Sequence, residues 1–272
     1  MLRTTCVLAI SATLALPAAA KEFTWAGKTD PQTMDPHAVS SAPVLGFLNN
    51  VYDGLVRMSQ DMKIEPSLAE SWEPIGEGEG WRFNLREGVT FHDGAAFDAD
   101  DVLFSYERAS DESSDVRSWF SPVTEVRVVD NFTVEFYTNA PNPLIPASIA
   151  NWMMMARGWA EASNAARPDK ENGNHATLNV NGTGAFKLEE RQPGLTTTLT
   201  PNADWWDATT HNITKATFTP IQNPATAVAA ILSGDIDFVE PVPIQDAARL
   251  DADPNVNVIR GIEARTIMLG FN

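Results

Sequence analysis

Residues 81–109, WRFNLREGVTFHDGAAFDADDVLFSYERA, change period part-way along. At the start, Trp81, Phe83 and Leu85 alternate with Arg82 and Asn84, the period of two that belongs to a half-buried strand. Arg86-Glu87-Gly88 predicts a short turn with glycine at positive φ, so Val89-Thr90-Phe91-His92 is expected to return as the partner strand. Asp93-Gly94 then breaks the sheet. Asp98 has the chemistry of an N-cap, with Asp101 in the capping-box position three residues on, where Glu or Gln is usual. Val102, Leu103 and Tyr106 give the following helix an apolar face. The stretch therefore predicts a β-hairpin, a loop and a capped helix. It holds no nucleophile beside a base, no metal cage and no phosphate loop.

Upstream, the chain opens with the features of an export signal over residues 1–20. Arg3 and the amino terminus are positive, Val7 to Leu16 is a short apolar run, and Ala18-Ala19-Ala20 is a small-residue cleavage site before Lys21. The run is about half of the roughly 20 apolar residues that a membrane-spanning helix needs. The single cysteine, Cys6, lies inside this leader, so a processed chain would have neither a disulfide nor a catalytic thiol. Without the leader, 252 of the 272 residues remain, enough for a substantial core or two modest domains. Composition is that of a soluble globular protein, with 43% hydrophobic and 20% charged residues. A formal net charge of −17 opposes binding to nucleic acid or anionic lipid and favours solubility.

The remaining elements read as alternating short strands and helices. Phe23 begins a strand, and Asp35-Pro36 marks a turn. Val44 to Met58 has a helical apolar face through Val44, Leu48, Val51 and Leu55, weakened by Gly54. Gly76 to Gly80 is a hairpin tip, because a calcium loop would need carboxylates at fixed alternate positions and a closing glutamate. Val126–Val128 and Phe132–Phe136 form a second hairpin across Asp130-Asn131. Pro141, Pro143 and Pro146 interrupt regular structure. Trp152 to Met155 reads as a buried strand rather than a soft methionine surface. Residues 169–181 form a polar exposed loop. Pro224 opens a helix that Gly234 closes in the left-handed conformation. Val256–Ile259 and Thr266–Phe271 read as strands.

Several of these phrases resemble, in order, those of the extracellular solute-binding proteins of family 5, the periplasmic oligopeptide-, dipeptide- and nickel-binding components of ABC importers. The longest match is Leu85-Arg86, then Gly88-Val89-Thr90-Phe91-His92-Asp93-Gly94, then Ala99-Asp100-Asp101-Val102. Others are Thr33-Met34-Asp35-Pro36-His37, Asn50 to Val56, and Ile64 to Glu73. The series continues with Asn181 to Lys187, Asn202-Ala203-Asp204-Trp205-Trp206, and Ser233 to Phe238. The resemblance departs from the family wording at Met34, where leucine is usual, and at Ala185, where proline is common.

Rival chemistries are less well supported by the residues. Gly182-Thr183-Gly184 lacks the third glycine of a dinucleotide fingerprint and the Gly-Lys-Ser/Thr ending of a Walker loop. His37, His92, His175 and His211 are scattered without zinc-site spacing. There is no G-x-S-x-G elbow. The carboxylate pairs Asp100-Asp101 and Asp235/Asp237 are unremarkable in so acidic a chain. No cofactor or metal is expected, and no enzymatic activity.

The resemblance implies an α/β fold of the periplasmic binding protein type II kind. Residues 21–58 and 152–272 would form lobe I, with the hairpin-rich subdomain 59–151 inserted between them. The family continues past a Phe/Tyr-Asn pair into a second lobe, whereas this sequence stops at Phe271-Asn272, so it reads as lacking lobe II. The implied function is capture of a peptide or similar small solute in the periplasm by a monomer. Delivery would be to the permease of an ABC importer in the inner membrane, and nucleic acid is not an expected partner. The expected ligand-binding residues are Val39, Ser40, Ser41 and Ala42. Small residues there let a ligand approach the backbone, and two hydroxyls can donate or accept; the competing reading is a helix-approach loop with an N-cap serine. The alternatives are an exported hydrolase and a structural or chaperone-like periplasmic protein.

Overall fold

The computed structural model describes residues 20–261. The expected leader and the expected strand at Thr266–Phe271 lie outside these residues. The architecture is α/β, and the strands fall into three sheets.

The largest sheet is mixed. An interior strand, β1 (Lys21–Gly27), lies early in the chain, yet both its neighbours come from far downstream. The strands between are β2 (Val56–Met58), β3 (Ile64–Pro66), β4 (Ala69–Ile75), β5 (Gly80–Leu85), β6 (Val123–Asp130) and β7 (Thr133–Thr138). After them come β8 (Phe186–Gln192), β9 (Thr196–Pro201), β10 (Ile213–Pro220) and β11 (Phe238–Glu240). The order β11-β1-β10-β9-β8 makes β1 parallel to both β10 and β11, while β8, β9 and β10 form an antiparallel meander. Gly27 is in register with Pro220 on one side and Glu240 on the other, so three parallel strands end at one level.

The second sheet, β4-β5-β7-β6, is wholly antiparallel and comes from residues close in sequence. Phe83 and Leu85 are buried as the alternation requires, and Trp81 is half-buried. The expected β6–β7 hairpin and the glycine turn between β4 and β5 are present, with Gly76 and Gly78 at φ 56° and 100°. A two-stranded ribbon, β2-β3, completes the set.

Among the described residues, six short α-helices connect these sheets. They are α1 (Ala42–Leu48), α2 (Ala99–Ala109), α3 (Ile145–Ser148), α4 (Arg157–Ala162), α5 (Pro224–Ser233) and α6 (Ala247–Asp251). In α2 the capping box forms as read: the Asp98 side chain accepts from the backbone of the first turn, and Asp101 accepts from Asp98 N at 3.2 Å. In α5, Asn223 caps the start and Gly234, φ 78°, closes the end.

Four expectations are corrected. Val89–His92 is not the partner strand of β5, because β4 and β7 already occupy both its edges. Instead the chain closes a small loop, with Phe97 N donating to Val89 O and Thr90 bridging Ala96, which turns Val89, Phe91 and Phe97 into the core. The helix expected over Val44–Met58 ends at Leu48. Beyond it, the carbonyls of Asn50, Val51 and Asp53 accept from Phe186, Gly184 and Met154, so tertiary partners take the bonds that a longer helix would use. Trp152–Met155 is buried as expected, but its only strand-like pairing among the described residues is one bridge, Met153 to Gly54. Val256–Ile259 is irregular.

Two main cores result. One gathers Phe83, Phe91, Phe97, Val102, Phe136 and Trp152 between the antiparallel sheet and α2, with Phe83 and Phe136 packed edge to face at 5.3 Å. The other joins α1 to the mixed sheet through Val44, Leu48, Leu199 and Phe218, with Phe47 against Phe218 at 5.4 Å. Met153 faces the second core and Met154 the first, so consecutive residues serve both.

Candidate functional site

In open α/β sheets a ligand crevice forms outside the carboxyl ends of the parallel strands. Here that edge is the level of Gly27, Pro220 and Glu240. The connection leaving it from β1 runs through residues 28–41 into α1, and it carries the expected ligand residues. Ser40, Ser41 and Ala42 are exposed, whereas the Val39 side chain is buried in the second core. Ser41 sits at the N-cap of α1 with extended backbone, φ −71° and ψ 122°, and its side chain makes no capping bond. Its hydroxyl is therefore not committed to the helix. Val39 can offer only backbone.

A loop of this length needs something to hold it, and two ion pairs do so, one fully buried and one partly buried. Asp30 takes a forked contact from Arg191 of β8 at 3.3 and 3.0 Å and also accepts from Gly194 N. The Arg191 side chain is 2% exposed and reaches Pro31 O as well. Further along, Asp35 receives both Arg108 nitrogens, at 2.7 and 2.5 Å, with the two side chains 1% and 0% exposed. Arg108 also donates to Ala165 O and to His37 Nδ1. Arginine can only donate, so His37 Nδ1 accepts and its Nε2–H donates to Met153 O at 3.0 Å, which fixes a neutral imidazole. Met34 N donates to Thr177 O, and Asp115 N and Ser114 Oγ both donate to His37 O. The connection is thus tied to β8, α2 and three loops.

The protonation states follow from this packing. Burial pushes the Asp35 carboxyl up, but the Arg108 hydrogen bonds and charge outweigh it and hold the group below the usual range. Burial, then the Arg108 charge, pulls His37 down to about 3 against the opposing pull of Asp35. Asp35 is charged and His37 neutral at neutral pH.

The family-like phrases converge elsewhere, in a seam between the two cores. Asp93 N donates to Asn181 Oδ1 at 3.1 Å, and Asn181 Nδ2 returns a bond to Asp93 Oδ2 at 2.9 Å. His92 Nε2 donates to Gly184 O at 3.2 Å, and Lys187 Nζ donates to His92 O at 2.9 Å. Burial lowers the His92 pKa to about 4. A Cβ on Gly182 would stand 2.0 Å from Val51 O, and one on Gly184 would stand 2.5 Å from Val51 C. The glycines are there so that two backbones can touch, with no room for a phosphate. Asp53 Oδ2 accepts from Thr183 Oγ1 and from Trp206 Nε1, each at 2.9 Å, while burial raises its pKa against those donors. Arg86 lies 4.5 Å above the Trp206 ring. Four distant phrases thus meet in one hydrogen-bonded seam between the two cores.

Sequence reading missed Arg108 and Arg191. Arg108 had a signal: it falls on the α2 face that carries Asp101, Val102 and Ser105, and an arginine on a buried face demands a buried acceptor. Arg191 had none. Among the described residues, no group of three or more His, Cys, Asp or Glu side chains could hold a metal ion.

Comparison with known proteins bears on the whole chain. The family model for bacterial extracellular solute-binding proteins, family 5 Middle, matches residues 63–272. The chain is 25% identical over 266 residues to the periplasmic murein peptide-binding protein MppA of Escherichia coli strain K12, covering 90% of this chain and 48% of that protein. Among solved structures it superposes on DppA from Helicobacter pylori in complex with the peptide STSA, with a TM-score of 0.73 and 25% identity. That match covers 86% of this chain and 49% of the other. The match to MoaA with mannopinic acid from A. tumefaciens R10 has a TM-score of 0.77 and 27% identity over 87% of this chain and 48% of the other. The chain spans about half the length of these relatives.

Proposed function

The chain belongs to family 5 of the bacterial extracellular solute-binding proteins, and from that premise we propose that it captures a peptide or similar small solute in the periplasm for an ABC importer. The family match over residues 63–272 carries this reading. The relatives named above are described with a murein peptide, the peptide STSA and mannopinic acid, all small solutes rich in polar groups. The exposed connection through Ser40, Ser41 and Ala42 at the carboxyl edge of the mixed sheet supports these residues as the wall that meets the solute, with Val39 contributing backbone. In this reading residues 21–58 and 152–272 act as one lobe, 59–151 as its inserted subdomain, and the loaded protein as a monomer docks on the permease. Catalysis plays no part.

Calorimetry of the purified chain against a panel of short peptides and opines tests the proposal. Saturable heat from one solute class would support it, and Ser41→Trp should then weaken that binding by about tenfold or more by filling the approach to the backbone. Turnover of a panel compound without saturable binding would identify a hydrolase instead. Affinity unchanged in Ser41→Trp would remove this connection from the site.

A further inference from the structure

A depression of about 590 Å³ opens beside the C-terminal end of α2, lined by Tyr106, Ser110, Ser114, Asp115, Arg117 and Ser118 among others. Arg117 is exposed there and, alone among the arginines of the described residues, makes no ion pair. In a chain with 36 acidic side chains against 19 basic ones, a guanidinium without a carboxylate is unexpected. Ser110 supplies a second observation. Its Oγ is buried and has no hydrogen-bond partner, an arrangement that costs free energy unless a ligand or solvent completes it. The Ser118 hydroxyl is also uncommitted, whereas Ser114 Oγ is used by His37 O and Ser121 Oγ by Ser118 O. The one carboxylate in the wall, Asp115, is held by Lys170 Nζ at 2.8 Å, so its charge is countered from outside the depression.

The wall of the depression thus carries a guanidinium without a carboxylate and two serines whose hydroxyls have no hydrogen-bond partner among the described residues, and donors of these kinds are what an oxyanion accepts from. We infer that this depression is a binding site for a small oxyanion, held by the Arg117 guanidinium and the Ser110 and Ser118 hydroxyls. The depression does not include Ser40, Ser41 or Ala42, although Ser114 and Asp115 in its wall donate to His37 O of the β1–α1 connection, and the inference does not depend on the solute-binding reading. Free phosphate or sulfate and the carboxylate of a small organic acid present the same chemistry.

Equilibrium dialysis of the purified chain against radiolabelled inorganic phosphate, at ionic strength fixed with sodium chloride, measures occupancy directly. One saturable equivalent is expected in the native protein. Competition by sulfate but not acetate would mark a tetrahedral anion, and competition by acetate a carboxylate. Arg117→Ala should lower affinity about tenfold or more, the loss of a charge-assisted forked contact. Arg117→Lys should retain part of it, and Ser110→Ala should weaken it less. The melting temperature of Arg117→Ala in chloride should equal that of the native chain, since the residue makes no ion pair. Uptake that never saturates, that persists unchanged in Arg117→Ala, or that chloride displaces in proportion to ionic strength would overturn the site.

Discussion

The antiparallel sheet β4-β5-β7-β6 and the mixed sheet that contains β1 are built by different means. The first draws its strands from residues 69–138 and closes over an apolar core with edge-to-face aromatics. The second places Lys21–Gly27 between strands that lie about 190 residues further on, and its long connection is held by ion pairs, one fully and one partly buried. The difference teaches how each kind of sheet is specified. Short-range pairing needs only pattern and turns, whereas the loop leaving the long-range sheet combines apolar burial at Met34 and Val39 with directional polar anchors at Asp30 and Asp35.

The largest test of that contrast is Arg108→Ala. It leaves the Asp35 carboxylate buried without its partner and should cost about 3–5 kcal/mol in denaturant unfolding. Replacing both partners, Arg108→Met with Asp35→Leu, should recover much of the loss in stability. If the double variant is no better than the single, the anchor acts through shape and not charge. The same cluster sets an acid limit. His37 and His92 are held in the fold at about 3 and about 4, below the 6.5 of an unfolded histidine. Below pH 6.5 the unfolded chain therefore binds protons that these two histidines refuse in the fold, and their contribution to stability falls as pH drops from about 6.5 toward 3. Asp101, whose carboxyl burial raises to about 6, opposes this fall in part. Melting temperatures across that range should decline in the native protein and decline less in His37→Gln. A flat profile would mean that His37 is protonated in the fold.

Phe83→Ala should cost about 3–5 kcal/mol by opening a cavity in the antiparallel core, and no polar substitution nearby should rescue it. Rescue by a polar side chain would erase the distinction between the two regions. At the seam, Gly182→Ala should cost about 1–3 kcal/mol, because its methyl meets the Val51 carbonyl and the backbone must shift. A neutral effect on the melt would show that the two backbones are not in contact. The smallest effect is expected at Asp98→Ala, about 1 kcal/mol for loss of the α2 cap, read in the same unfolding measurement. A loss as large as that of Phe83→Ala would mean that Asp98 does more than cap.

Legibility in the sequence followed the same division. The alternation of Trp81, Phe83 and Leu85, the Asp98–Asp101 capping box, the β6–β7 hairpin and the Pro224–Gly234 helix all express contacts within a few residues. At Val44–Met58 and Trp152–Met155 the local pattern was apolar enough for a regular element, but backbone groups were claimed from afar, as when Asn50, Val51 and Asp53 accept from Phe186, Gly184 and Met154. At Val89–His92 both edges of β5 were already taken by β4 and β7, and the stretch closed instead onto Ala95 to Phe97. The exposure of Ser40 to Ala42 and the burial of Val39 were equally beyond local pattern, since both depend on where α1 docks.

The class of fold, the family and the elements with local periods and caps were readable from the residues, because side-chain spacing and turn chemistry act over a few positions. The role of the family-like phrases emerged from long-range packing. His92-Asp93, Asn181, Gly182, Gly184 and Trp206 are partners in one seam. Asp35 and Arg108, 73 positions apart, form the anchor of the connection. Such pairings depend on which surfaces meet when β1 is inserted between β10 and β11, and no period within the chain encodes that meeting.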